Sequence, residues 1–412
     1  MELFQRASRV IPGGIFGHTA PAMLVPKAFP YYAVSGEGCR YRDPDGNEFL
    51  DFLCGYGPNI LGYRHPEVDE AVQKAEAAGR CFNHPTPVMV DLADYLVDMV
   101  DFAEWVVFGK NGSDMTTWAI SVAREKTGRK KVLRARESYH GVDPWCTPGQ
   151  GGIIAEDRAH IHTFNWNDLE SLEKLFKEFP NEVATVILTP VHQPLFKEAQ
   201  MPDPGFFVSV RNLCDRYGAL LILDDIRAGF RLHEDGSHAY LGVSPDMICF
   251  CKALANGYSI SATLGTGELR RSSERVFLTG SYWNNPGPMA AALACLQIIH
   301  RDGVTDHIQK LGDYLAEGLK NKAADFGYTF YCTGPTSMPY FVFAGDPDQY
   351  LNQRFCSGLV QKGIFLHPHH NGFISGAHTM KDMEDMIQSS GEVWAEMREE
   401  GVTPIASETT QN

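Results

Sequence analysis

The chain has 412 residues, of which 44% are hydrophobic and 21% charged, a composition typical of a globular protein with more than one domain. Its formal net charge of -15 argues against a nucleic-acid partner, because phosphate binding requires a basic surface. Ten cysteines without C-x-x-C spacing, a start without an apolar signal core and no apolar run long enough to cross a bilayer predict a cytoplasmic protein without a membrane partner.

Patterns of apolar residues divide the chain into three regions. These regions are residues 1–64, 65–303 and 304–412. In the first, YRDPDGNEFLDF predicts a β-hairpin around Asp45 and Gly46. In the second, short apolar runs alternate with helical patterns, which predicts βαβ units and a mostly parallel sheet between helices. The third has long helical patterns near 305–326 and 380–397 with short strands between them, which indicates a smaller α+β domain.

The predicted strand ALLILD ends in two adjacent carboxylates, Asp224 and Asp225. Ligands of an open parallel sheet bind beyond the carboxyl ends of its strands. Because side chains alternate along a strand, we expect Asp224 and Ile226 to face one way and Asp225 the other. Asp224 and Ile226 together suit a flat cationic ring, with the carboxylate on a ring N–H and the apolar side chain on the ring face. The alternative is an aspartate that caps a helix or a turn.

Lys252 follows another uncharged strand, in DMICFCKALANG. Desolvation disfavours the ammonium form of such a lysine and leaves its amine available as a nucleophile. The alternative is a lysine that extends to the rim of the protein.

Two further turns contain candidate residues for a phosphate site and for an aromatic stacking contact. WVVFGKNGSDMTTWAI predicts a strand, a glycine-rich turn and a helix, where Gly112 and Ser113 form a natural phosphate cradle or an ordinary helix cap. ESYHGVDPW places Tyr139 on a turn, as a stacking partner for a ring or as a structural tyrosine. A phosphate cradle, an amine for an aldehyde and a carboxylate for a protonated pyridine together match pyridoxal 5'-phosphate (PLP).

The order of these motifs resembles the class III aminotransferases of PLP fold type I, with NGSD, YHG, DDxxxGFR, the lysine and TGSYWNNP in sequence. IPGG, DPDGNEFLDF and GAHT resemble the glutamate-1-semialdehyde 2,1-aminomutases of this family. FGKNGSD, LDDIRAGFR and HPHHNGFISGAHT are closer to the fumonisin aminotransferase group. The resemblance covers almost the whole chain. It implies an α/β fold, with a PLP-binding large domain built on a mostly parallel seven-stranded sheet, a C-terminal small domain, and an N-terminal segment that contributes to the small domain and the active-site entrance.

The resemblance also implies roles for single residues. Lys252 matches the lysine that binds the cofactor covalently and then moves the substrate proton. Asp224 matches the aspartate that keeps the pyridine nitrogen protonated. Ile226 takes the position beneath the ring and Tyr139 the position above it.

The phosphate site is implied in the same way. Gly112 and Ser113 match the phosphate loop, and Ser281 lines up with a threonine that reaches the phosphate from the neighbouring subunit. The resemblance therefore implies a homodimer with shared active sites.

The chain departs from the aminomutases where they bind substrate. Ala20 stands where IPGGVNSPVR has its carboxylate-binding arginine, Thr189 replaces a glutamate, and Tyr56 replaces a tryptophan. We therefore expect amino transfer from a primary amine lacking an α-carboxylate, long-chain or bulky and of the fumonisin-type amine polyol class, to a 2-oxo acid such as pyruvate. The alternative is a 2,1-aminomutase.

The substrate pocket and the acceptor site have several candidate residues. The pocket candidates are Phe16, His18, Tyr56 and Trp145. The candidates for the acceptor carboxylate are Arg227, Arg231 and His192, among which the sequence does not choose.

A second kind of function, that of a metal-dependent hydrolase, is an alternative hypothesis. Asp224, Asp225 and the histidines of HPHH would be its ligands, and those histidines are His367, His369 and His370. Nothing in the sequence brings these residues together, and histidines around a proline more often belong to turns, so we expect no metal.

Overall fold

The computed structural model describes residues 2–17, 24–25, 27–194 and 197–403. The α-helices in these ranges are α1 (Glu2–Val10), α2 (Pro66–Glu76), α3 (Pro87–Met99), α4 (Gly112–Thr127), α5 (Ala155–Arg158), α6 (Leu169–Glu178), α7 (Phe206–Tyr217), α8 (Ser237–Leu241), α9 (Arg270–Arg275), α10 (Pro286–Asp302), α11 (Val304–Asp325), α12 (Tyr350–Gln361) and α13 (Met380–Glu399). The β-strands are β1 (Ser35–Glu37), β2 (Arg40–Arg42), β3 (Glu48–Asp51), β4 (Trp105–Gly109), β5 (Lys131–Ala135), β6 (Ile161–Phe164), β7 (Val183–Leu188), β8 (Leu220–Asp224), β9 (Met247–Phe250), β10 (Ser261–Gly265), β11 (Phe330–Thr333), β12 (Tyr340–Phe343) and β13 (Ile364–Phe365).

The chain divides into two compact units. The small unit comprises Met1–Tyr56, Gly62–Arg64 and His307–Asn412. The large unit comprises Gly57–Leu61 and His65–Asp306. The small unit therefore joins residues from both ends of the chain, and the large unit comes from its middle.

A seven-stranded sheet forms the centre of the large unit, in the order β4-β10-β9-β8-β7-β5-β6. Strands β5 to β9 run parallel, and β10 is antiparallel to both of its neighbours. Every residue of β7, β9 and β10 is buried, as expected for strands whose two faces are both covered. The predicted mostly parallel seven-stranded sheet is confirmed.

Helix α4 packs its apolar face on this sheet. Met115 and Trp118 of the helix belong to the same buried cluster as Ile187 of β7, Ile222 of β8 and Met247 of β9. Burial of such side chains stabilises the fold by about 1.5–3 kcal/mol each. The core thus holds the start of α4 and the ends of β8 and β9 in a fixed arrangement.

In the small unit, the predicted hairpin is confirmed. Strands β2 and β3 pair antiparallel, and Asp43 Oδ1 accepts hydrogen bonds from the backbone N–H groups of Asp45 and Asn47 across the turn. Together with β1 and β13 these strands make a four-stranded sheet. Among the described residues, no helix combines the length and the apolar character that a bilayer crossing requires.

Gly229 lies in the turn after β8, and its close contacts allow a test of how tightly the large unit is packed there. A Cβ atom there would lie 2.6 Å from the Asp225 carbonyl oxygen and 3.1 Å from the Phe250 ring. We expect Gly229→Ala to lower the free energy of unfolding by about 1–3 kcal/mol, because the backbone oxygen cannot move aside. The measurement is thermal unfolding against Gly151→Ala, whose Cβ would have no atom within 4 Å. Equal midpoints for the two variants would contradict the tight turn.

Candidate active site

Lys252 begins a short 3-10 turn, Lys252–Ala255, directly beyond β9. Its backbone φ is 46°, a left-handed conformation that is uncommon for residues other than glycine and costly to maintain. Burial disfavours the ammonium form and the neighbouring Arg227 cation repels it, which lowers the pKa of Lys252 to about 7. The amine is therefore substantially unprotonated, and nucleophilic, at neutral pH.

Asp224 and Asp225 have separate partners, as side-chain alternation predicts. Asp224 is buried at the end of β8, with Oδ2 2.7 Å from His140 Nδ1 and Oδ1 accepting the Ile226 N–H at 3.3 Å. Asp225 accepts the Ser237 N–H at 2.7 Å and the Ser237 hydroxyl at 2.6 Å. Burial raises the pKa of Asp225 to about 7, against the lowering effect of these hydrogen bonds. Asp225 thus anchors the first residue of α8, and Asp224 is held by His140.

His140 is a functional residue that the sequence reasoning missed. The Ser138 hydroxyl donates to the Ala135 carbonyl at 2.7 Å, and its oxygen lies 3.0 Å from His140 Nε2. The imidazole therefore contacts the Asp224 carboxylate through Nδ1 and the Ser138 hydroxyl through Nε2, which fixes the orientation of the ring. Trp145 stacks on the imidazole, with ring centroids 6.0 Å apart and planes 16° apart. In the sequence, Ser138 and His140 follow a predicted strand at i and i+2, and this spacing indicates that both side chains can face the same site.

The start of α4 packs directly against Ile226, two residues after Asp224. A Cβ at Gly112 would lie 2.6 Å from Ile226 Cδ1, so a larger residue there would force the Ile226 side chain to move. Ser113 Oγ accepts the Val142 N–H at 3.0 Å, and a Cβ at Gly141 (φ 128°) would overlap that same oxygen. The first turn of this 16-residue helix offers backbone N–H groups and a favourable dipole to an anion.

Tyr139 and Arg227 lie in the same neighbourhood, and both are partly buried. Burial raises the pKa of Tyr139, and the Arg227 cation opposes this rise. Arg227 Nη1 donates to Gln193 Oε1 at 2.9 Å. Burial lowers the pKa of Arg227, and the Asp224 charge offsets only part of this decrease. A guanidinium nevertheless stays protonated at neutral pH.

The other two candidates for an acceptor carboxylate have different surroundings. Arg231 is fully buried, and its Nη2 donates to the Gly57 carbonyl at 2.8 Å. His192 is buried and stacks on Trp166, with ring centroids 5.2 Å apart. Burial lowers the pKa of His192 to about 4, so the ring is neutral at pH 7.

Tyr56 and the HPHH segment belong to the small unit. The Tyr56 ring lies 6.2 Å from that of His367 and 5.1 Å from that of His370. His369 contacts Gln353 Nε2 at 2.9 Å. Within the described ranges, no group of three or more His, Cys, Asp or Glu side chains could hold a metal ion.

The remaining predicted site residues lie at the surface or outside the described chain. Phe16 is 81% exposed, and Ser281 is exposed in the loop before α10. His18 and Ala20 lie outside the described residues.

The large unit therefore brings together the groups that PLP requires. Register pairs Asp224 of β8 with Cys249 of β9, so that Lys252 and Asp224 meet at one edge of the sheet. The phosphate turn reaches the same edge through the contact between Gly112 and Ile226. An unprotonated amine, a held carboxylate and a helix N-terminus fit the aldehyde, the pyridine nitrogen and the phosphate of this cofactor.

Comparison with known proteins gives a consistent result. The family model for class III aminotransferases matches residues 25–380. The aminopentol aminotransferase of Sphingopyxis macrogoltabida is 40% identical over 389 residues, which cover 94% of this chain and 92% of that protein. The 3-aminobutyryl-CoA aminotransferase of Cloacimonas acidaminovorans is 36% identical over 403 residues, 97% of each chain. The PLP internal aldimine form of the FumI protein from Sphingopyxis sp. MTA144 superposes with a TM-score of 0.96 at 38% identity, covering 98% of this chain and 97% of the other.

The pKa of Lys252 makes a testable prediction for the cofactor-free protein. We expect the rate of covalent capture of PLP to rise as the pH increases through about 7 and to level off above it, because only the unprotonated amine reacts. The measurement is borohydride trapping over a pH series, with the labelled residue located by peptide mass spectrometry. Lys252→Ala is the control and should form no trapped product. A midpoint near the ordinary lysine value of about 10.4, or a label on another lysine, would contradict the assignment.

Proposed function

Because this chain belongs to the class III aminotransferases, which are PLP-dependent, we propose that it moves the amino group of a long-chain or bulky primary amine without an α-carboxylate to a 2-oxo acid such as pyruvate. The observation that carries the proposal is 40% identity with an aminopentol aminotransferase along almost the full length of both chains. A second relative is named for 3-aminobutyryl-CoA, and neither name describes an α-amino acid. The aminomutases are more distant relatives, which disfavours that alternative.

Each residue at the sheet edge has a separate task in the reaction. PLP, when bound, supplies an electron-withdrawing pyridine ring. Lys252 Nζ would accept the proton that leaves the amine-bearing carbon of the donor and would donate it again later in the transfer, and a pKa near 7 suits both roles. Asp224 holds the proton on the ring nitrogen, and His140 fixes the orientation of that carboxylate. Ile226 and Tyr139 would hold the ring between them.

The donor site favours apolar contacts over a carboxylate contact. Ala20 offers no charge where the aminomutases have arginine, and a buried donor carboxylate without a cation carries a desolvation cost. The proposed pocket residues Phe16, Tyr56 and Trp145 are aromatic side chains, of the kind that bury an alkyl chain. Burial of such a chain contributes about 0.8 kcal/mol per methylene.

A homodimer with shared active sites is part of the proposal. Ser281, which corresponds to the residue that reaches a neighbouring phosphate, is exposed rather than packed into its own unit. Phe277 is 86% exposed and Tyr282 69% exposed in the same loop. Exposed aromatic side chains of this kind are typical of surfaces that a second subunit covers.

The cysteines support a reducing compartment such as the cytoplasm. All ten are free thiols, and most are buried. A secreted protein of this composition would more commonly pair them.

The two neighbouring aspartates give a matched pair of variants. We expect Asp224→Asn to reduce the rate of amino transfer about 10- to 1000-fold, since a nearby carboxylate shifts the pKa of its partner by about one to three units and the ring nitrogen would lose that support. Asp225→Asn should stay within a few-fold of the unaltered enzyme, because Asp225 contacts Ser237 and not the ring. The measurement is alanine formed from pyruvate, with circular dichroism as the folding control. Equal losses in two well-folded variants would contradict the facing of these side chains.

Donor preference tests the proposed substrate class. We expect long-chain 2-aminoalkanes to convert the enzyme to its pyridoxamine form faster than L-glutamate, glutamate semialdehyde or β-alanine. The physical reason is the gain from buried methylenes and the missing cation for a donor carboxylate. The measurement is single-turnover absorbance with each donor. Fast conversion by glutamate semialdehyde with little response to the alkyl amines would indicate an aminomutase instead.

A further inference from the structure

A 2-oxo acid acceptor carries a carboxylate that the enzyme must hold in the second half of its cycle. We propose that Arg227 is the specificity-determining residue that binds this carboxylate, with Gln193 positioning its guanidinium; this inference rests on the proposed function. The role is distinct from that of Lys252, whose amine has to react rather than hold a charge.

The sheet register places Arg227 beside the reactive lysine. Asp224 of β8 pairs with Cys249 of the parallel neighbour β9, and the Asp225 N–H donates to the Cys249 carbonyl at 3.0 Å. Arg227 lies three residues beyond Asp224, and Lys252 lies three residues beyond Cys249. Both side chains therefore start from matching positions past the carboxyl edge, where ligands of an open sheet bind.

The hydrogen bonds of Arg227 leave room for an anion. In the described part of the chain it makes one hydrogen bond, from Nη1 to Gln193 Oε1 at 2.9 Å. A guanidinium has five N–H donors in a planar fork that matches the two oxygens of a carboxylate. Arg227 is partly buried, and its charge acts on both Lys252 and Asp224, so the guanidinium lies close to these two groups. The hydrogen bond to Gln193 fixes Nη1 and thereby orients the whole planar guanidinium.

Arg231 and His192 lack this combination of charge and access. Arg231 is fully buried and donates to the Gly57 carbonyl, which indicates a structural role. His192 is neutral at pH 7 and stacked on Trp166, so it offers no positive charge. Lys110 is a further basic candidate, because its buried Nζ has no hydrogen-bond partner among the described residues. It stands two residues before Gly112, whose turn contacts Ile226, so Lys110→Met is included as a competing variant.

The experiment compares two acceptors that differ in the carboxylate. The enzyme is first converted to its pyridoxamine form with an amine donor, and it is then mixed with pyruvate or with propanal, which has the same carbon number and no carboxylate. Stopped-flow absorbance gives an apparent dissociation constant and a limiting rate for each acceptor. The variants are Arg227→Met, Arg227→Lys and Lys110→Met, and calorimetric binding of propionate to the same holoenzymes gives a readout that does not depend on turnover.

We expect Arg227→Met to weaken pyruvate and propionate binding by about tenfold to a hundredfold while propanal changes less than threefold, because only the carboxylate contact is lost. Arg227→Lys should restore part of the affinity, since it keeps the charge and loses the fork. Unchanged pyruvate affinity in Arg227→Met would overturn the proposal, and so would a parallel loss of pyruvate and propanal or a larger loss in Lys110→Met. Failure of the unaltered enzyme to form alanine from pyruvate would instead overturn the proposed function.

Discussion

A carboxylate that is buried at the end of a strand requires a hydrogen-bond donor, and His140 supplies one to Asp224. Without it, the loss of water around the charge would cost several kcal/mol or neutralise the group. His140 is in turn held by Ser138 and covered by Trp145. The hydrogen bond from His140 fixes the position of the carboxylate at the sheet edge, to which the strand register and the Gly112–Ile226 contact also bring Lys252 and the start of α4.

The same edge of the sheet holds two basic groups in different states. Burial and the Arg227 charge keep much of Lys252 unprotonated, whereas Arg227 keeps its own proton because a guanidinium is far more basic. One group can therefore react while the other remains a fixed charge. A lysine at position 227 would hold its proton less firmly than this arginine, because an ammonium group loses its proton more readily on burial than a guanidinium does.

Close packing explains why glycines flank the phosphate turn. Gly112 lies against Ile226, and Gly141 lies against Ser113. A side chain at Gly112 would displace that of Ile226, and one at Gly141, where φ is 128°, would overlap Ser113. The family match and the superposition with a PLP-bound relative show a PLP-dependent enzyme of this fold.

Local patterns in the sequence determined much of this protein. Alternation along ALLILD separated Asp224 from Asp225, and the glycine-rich turn after WVVFG located the start of α4, because strand and helix periodicities depend only on neighbouring residues. Only the tertiary structure decided which distant residues meet. His140 reaches Asp224 across 84 positions, and Gln193 reaches Arg227 across 34. Such pairs depend on the order and register of strands β5, β7 and β8, which long-range packing sets and local patterns do not encode.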